Sequence, residues 1–237
     1  MISCDRRRQK RGSLETAVAL FVPVVSSVYS NKAPLIWLAT RASKSTVRLF
    51  REESRTAMDP AQPSEERVAK MISGVAAYLL EEREIYFRAS DPLTREWRGA
   101  VKPFFSKALL ENVRTVVLEG ARIPPPPFYS EAIAMSSGNF PDFVHLASVT
   151  YLDIIVFHDQ IVVRTLFHGL VHAAQMAFLG LDRYTDFYVR GFLKSRSWIA
   201  IPLEAQAYQL DTRFAMSPTT VFSVEDEVKS WAEQGLF

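Results

Sequence analysis

Residues 161–179 constrain this chain more than any other stretch. Ile161, Val162, Val163, Leu166, Phe167, Leu170, Val171, Met176, Phe178 and Leu179 leave the segment apolar nearly all round, the pattern of a helix buried in a core. The polar residues do not scatter. Thr165, His168, His172 and Gln175 are spaced i, i+3, i+7 and i+10, which lines them up along one narrow stripe. A buried polar stripe costs free energy unless it finds partners. Two histidines four apart share a helix face and can grip one metal ion, which would satisfy both imidazoles.

His168-x-x-x-His172, followed by Glu204 in Ile201-Pro202-Leu203-Glu204-Ala205-Gln206-Ala207-Tyr208, resembles the zincin metallopeptidases of the gluzincin type. The likeness covers residues 113–216. It implies an α+β fold, predominantly helical, with a small sheet beside the metal-site helix. It also implies one zinc ion held by His168, His172 and Glu204, with a fourth, open position for water, the catalytic rather than the structural kind of site. In many members an acidic residue four positions after the ligand glutamate helps to orient the imidazoles. That position here is Tyr208, so the role falls to Tyr208 or to Asp211, which share a helix face with Glu204.

One departure bears on activity. The family motif is H-E-x-x-H, and its glutamate is the general base. This chain has Gly169 there, which can neither take nor deliver a proton. The leading expectation is a zinc-binding, zincin-like protein with impaired or absent peptidase activity. An active metallohydrolase would need another carboxylate in the space the glycine leaves, with Asp153, Asp159 and Asp211 as candidates. A third alternative is a metal-free helical scaffold or partner-binding protein, in which His168 and His172 bond to Glu204 and Asp211. His145 and His158 are further candidate ligands, although a lone histidine near a strand end is more often structural.

A chain of 237 residues, 48% hydrophobic and 23% charged, belongs to the globular class. The single cysteine, Cys4, excludes an intramolecular disulfide and fits a reducing compartment. The net charge of +2 hides an asymmetry. Residues 1–58 carry 11 Lys/Arg against 4 Asp/Glu, hence +7; residues 59–237 carry 17 against 22, hence −5. A nucleic-acid partner for the core therefore has no electrostatic support; a peptide or protein in a cleft fits better. No run of 18 apolar residues occurs, so no spanning helix is expected.

The order along the chain follows. Residues 1–58 read as a basic arm that is disordered, a targeting signal, or not native, with Met58 as an alternative start. The expected location is cytoplasmic, or exported or membrane-associated if residues 1–30 act as a signal or anchor. Residues 59–112 supply helices that pack on the core, over 64–87 and, in one or two pieces divided near Pro103, over 93–112. The core, 113–216, starts with a strand over 113–118, followed by a stiff proline connector over 124–127 and a loop over 136–141. Residues 144–158 read as two strands or one bent strand. After the histidine helix and Gly180, Asp182 caps a helix over 183–194, whose aromatic stripe of Tyr184, Phe187, Tyr188 and Phe192 reads as core. A helix from Pro202 to about 215 carries Glu204, and 217–237 is read as a tail.

Overall fold

The histidine segment forms a 17-residue helix, Val163–Leu179, around which the rest is layered. The computed structural model describes residues 63–136 and 140–237, which fall in one unit, Pro60–Phe237. The expectations for the basic arm, residues 1–58, lie outside the described residues.

Helix α1 (Glu65–Phe87) starts where Ser64 accepts the Arg67 N–H. Two short helices, α2 (Arg95–Val101) and α3 (Lys107–Asn112), are capped by Thr94 and Ser106 in the same way. They flank Pro103, as the proline suggests. Between α1 and α2 the chain does more than break. Asp91–Pro92 forms a minimal strand, β1, and the proline is tolerated because β1 lies at the sheet edge.

The sheet is small and mixed, in the order β1-β2-β4-β3. Strand β2 (Arg114–Val117) pairs antiparallel with β1 and parallel with β4 (Ile154–Phe157). Strand β3 (Ser148–Tyr151) returns antiparallel on β4 through a turn at Leu152, whose φ is 55°. The expected strand from 144 begins later, because Val144 and His145 lie in a 3₁₀ turn, Phe143–His145. Asp142 caps that turn at Val144 N and pairs with His145. The connection from β2 to β4 also carries a short helix, α4 (Tyr129–Met135).

Strand β4 explains the layering. All four of its residues are fully buried, and their side chains alternate between faces. Ile155 and Phe157 join the cluster of α5 (Val163–Leu179). Ile154 and Val156 join the cluster that holds Tyr78 and Leu79 of α1. Both faces are thus covered by helices, which suits a parallel β2–β4 pair.

Three helices follow. Gly180, at φ 75°, joins α5 to α6 (Leu181–Ser195) without a gap. The expected Asp182 cap is therefore corrected: Asp182 lies inside the first turn, where its charge suits the helix N-terminus. Helix α7 (Pro202–Met216) begins on Pro202, as its fixed φ favours. The segment read as a tail ends in a capped helix, α8 (Val224–Glu233), whose Val224 and Val228 are buried in the same cluster as Phe167 of α5. Helix and sheet together make an α+β fold, mostly helical, with one four-stranded mixed sheet. Among the described residues no helix is long and apolar enough to cross a membrane.

Candidate metal centre

Helices α5 and α7 pack closely against one another, and this contact brings three side chains together. His168 and His172 stand one turn apart on α5, and Glu204 lies in the first turn of α7. The two Nε2 atoms are 3.1 Å apart. Glu204 Oε2 is 3.4 Å from Nε2 of His172 and 3.7 Å from Nε2 of His168. A tetrahedral zinc with ligands about 2.1 Å away spaces its donors by roughly 3.4 Å, in the middle of this range. Among the described residues no other group of His, Cys, Asp or Glu converges in this way.

The surrounding hydrogen bonds fix which atoms face the centre. The Gln175 amide nitrogen donates to the Leu203 carbonyl, 2.9 Å away, and to Gln206 Oε1 at 3.0 Å. A carbonyl can only accept, so the Gln175 oxygen must be the atom 2.9 Å from His172 Nδ1. His172 therefore carries a proton on Nδ1 and turns a lone pair on Nε2 inward. On His168, Nδ1 donates to Asp211 Oδ2 at 2.9 Å, while Arg164 donates twice to Asp211 Oδ1. The Tyr208 ring leans on His168 with centroids 4.6 Å apart. Of the two residues expected to orient the imidazoles, Asp211 hydrogen-bonds one and Tyr208 packs against the same ring.

Glu204 is held through one oxygen only. Its Oε1 accepts from Trp198 Nε1 at 3.0 Å and from Tyr188 Oη at 3.2 Å. Its Oε2 is buried with no hydrogen-bond partner. Such an orphan normally costs free energy, and the atom is aimed at the two Nε2 lone pairs.

Charge at the centre is strongly coupled. Burial works against a charged His168, but hydrogen bonds and charge from Asp211 and Glu204 outweigh it and raise its pKa to about 9. Burial would raise the Glu204 pKa, yet the electrostatic and hydrogen-bond influence of His172 and His168 holds it well below the usual carboxylate range. Without a metal, His168 is then an imidazolium whose Nε2–H points at His172 Nε2. A proton stands between the rings where a cation would fit. Burial, then the Glu204 charge, pushes the Tyr184 and Tyr188 hydroxyls far above their ordinary pKa, so both stay protonated and Tyr188 remains a donor to Glu204.

Gly169 leaves no open space beside the centre. Its Cα is pressed on the sheet: an added Cβ would lie 2.9 Å from Ile155 Cγ2, 3.0 Å from Ile155 Cδ1 and 3.1 Å from Thr150 Oγ1. Among the described residues no carboxylate fills that space. Asp153 is clasped by Arg83 and Asp159 pairs with Arg122. Asp211 sits behind His168, on its Nδ1 side. Neither extra histidine joins the centre. His145 is exposed and paired with Asp142, and buried His158 accepts the Ile123 N–H through Nε2.

Sequence reading missed four contributors. Tyr184 and Tyr188 read mainly as core in an aromatic stripe, from which Tyr188 or Arg190 could reach a cleft, although their i, i+4 spacing puts both hydroxyls on one side. Tyr184 Oη lies 3.4 Å from His172 Nδ1. Trp198 comes from a turn with no periodic signal. Arg164, one turn before His168 on the same stripe, was the one with a usable spacing cue. Comparison with protein-family models, with curated proteins and with solved structures gives no match.

Proposed function

We propose that this chain is a zincin-like, gluzincin-type protein that holds one zinc ion on His168, His172 and Glu204 and has little or no peptidase activity. One observation carries the reading: two imidazole Nε2 atoms and a carboxylate oxygen converge at 3.1, 3.4 and 3.7 Å once Asp211 and Gln175 have claimed the other imidazole nitrogens. Two lone pairs and a carboxylate oxygen at such distances repel unless a cation or a proton lies among them. The donor set, two imidazoles and one carboxylate, suits zinc.

When bound, zinc in such a set polarises water or a carbonyl oxygen. The rest falls to the chain. Asp211 and Gln175 hold the two rings in orientation, and Tyr188 and Trp198 keep Glu204 presenting a single oxygen. His168 leaves a way in, its side chain 17% exposed against 9% for His172 and 6% for Glu204. Among the described residues no carboxylate stands at the Gly169 position to shuttle a proton. A general base contributes about 10²–10⁴-fold, so loss of that residue removes most hydrolytic capacity while leaving the binding site intact.

Metal analysis of purified protein tests this. About one zinc per chain is expected, lost in His168→Ala, His172→Ala and Glu204→Ala. Zinc-free protein that cannot be loaded would overturn it. Metal-dependent peptide hydrolysis by the natural chain, abolished in Glu204→Ala, would overturn the inactive half alone.

A second reading rests on the His168 proton. The imidazolium, bonded to Asp211 and aimed at His172, together with Arg164 on Asp211 balances the two buried carboxylates without metal. In that case the centre is a structural clamp between α5 and α7, and the same metal analysis separates the two.

A further inference from the structure

A pocket of about 460 Å³ opens between α1, α4 and α6, with Tyr188 in its lining. Its wall is apolar, built from Met71, Val75, Phe128, Met135, Val189 and Phe192. Its charged residues are few. Arg67 and Glu131 pair with each other across the mouth, which leaves Lys70 as the lining charge with no ion pair among the described residues. The net charge at the rim is thus +1, from two cations and one carboxylate.

Gly74 supplies an independent observation. It sits inside α1, where glycine costs about 1 kcal/mol relative to alanine. Close packing does not require it, because a Cβ there would meet nothing within 4 Å, and no positive φ requires it either. It lines the pocket. The missing side chain keeps volume open at that wall, where the helix would otherwise tolerate any good helix former.

We propose that this pocket binds a single-chain amphiphilic carboxylate, a medium-chain fatty acid or a close analogue, with its tail among the phenylalanines and its carboxylate at Lys70. The volume lies in the range that encloses a small ligand. The apolar wall would desolvate an alkyl chain, and the one unpaired cation at the mouth selects an anionic head over a neutral one. The site does not depend on the metal centre, with which it shares only Tyr188.

Calorimetric titration of the full chain with decanoate, beside decanol, tests the proposal. Saturable 1:1 binding of decanoate is expected, weakened about fivefold in Lys70→Ala, as for a partly screened charge pair. Decanol should bind wild type about as weakly as decanoate binds that variant. Gly74→Phe fills the pocket and should abolish binding while thermal unfolding stays cooperative with an unchanged or higher midpoint. Gly74→Leu serves if the larger ring perturbs folding. Chelator should leave decanoate binding unchanged. Absence of saturable binding, equal affinity for decanol, or undiminished binding in both Gly74 variants overturns the proposal. Loss of binding with chelator would overturn the separateness of the two sites.

Discussion

Gln175 turns its amide oxygen on His172 Nδ1, 2.9 Å away, because its nitrogen is held by the backbone carbonyl of Leu203. One side chain thereby ties the orientation of the His172 ring on α5 to the first turn of α7, next to Glu204. Removing it should loosen both. Gln175→Leu keeps the apolar bulk but strips His172 of its acceptor. It should lower zinc affinity about 10–100-fold and cost about 1–3 kcal/mol of stability through the unpaired Nδ1–H and Leu203 carbonyl. Competition with a chromophoric chelator, together with urea unfolding, gives both numbers. Unchanged affinity would show that the second nitrogen of His172 does not matter to the site.

Protonation should oppose metal. His168 must lose a proton to bind an ion, and its pKa of about 9 means that it carries one at neutral pH. Zinc binding at pH 7 should therefore release about one proton. This can be read from titration heats in buffers of different ionisation enthalpy. In metal-free protein the same shift has the opposite use. A folded pKa raised from 6.5 to about 9 contributes stability that is full below pH 6.5 and fades as pH rises through 9. Glu204, held low, contributes stability present above its unfolded value of 4.5 and lost as pH falls through its folded value. The midpoint of metal-free protein should fall between pH 6.5 and 9. Zinc should reverse that trend by binding more tightly as the proton leaves. A flat profile without metal would show that His168 is not the imidazolium described.

Placing the gluzincin motif's glutamate at position 169 should not create a peptidase. Any side chain there meets Ile155 at 2.9–3.0 Å, a buried β-branched residue that cannot yield. Gly169→Ala gains about 1 kcal/mol of helix propensity and incurs roughly 1–3 kcal/mol of overpacking, so a net loss of about 1 kcal/mol is expected. Gly169→Glu adds a buried charge against the sheet and should unfold at markedly lower urea without gaining activity. Ile155→Ala, which opens the space, should recover part of the stability in combination. A stable Gly169→Glu variant that hydrolyses peptides would contradict this packing.

These arguments show which parts of the molecule are written locally. His168, His172 and Glu204 were legible because helical spacing places two of them on one face and Pro202 marks the start of the helix that carries the third. The cap at Ser64 and the first-turn proline Pro202 are legible for the same local reason. The parallel pairing of Arg114 with Ile154 was not, because it closes across α4 and depends on cores that form together. Nor was the fate of the spare carboxylates, since Asp153 is taken by Arg83 from a helix 70 residues away. Gly169 was read from its motif as a lost catalytic group. Its place against Thr150 and Ile155, which only the assembled sheet reveals, gives it a packing role as well.

Gly191 offers the most indirect test of the centre. A Cβ on it would stand 2.8 Å from Pro202 Cδ and 3.3 Å from Ile201 Cγ2, so α6 crosses the start of α7 with no room to spare. Tyr188 lies about one turn earlier on α6 and Glu204 two residues after Pro202, and their bond is 3.2 Å. A methyl group at 191 should part the helices and draw the hydroxyl off the carboxylate. Gly191→Ala is therefore expected to weaken zinc about tenfold, as loss of a group orienting a ligand does, although it touches no ligand. Tyr188→Phe should do the same directly. The two changes act through one bond, so the double variant should be little worse than the more severe single one. If Gly191→Ala lowers stability but binds zinc like wild type, the crossing supports the fold alone, and Trp198 suffices to hold Glu204 in place.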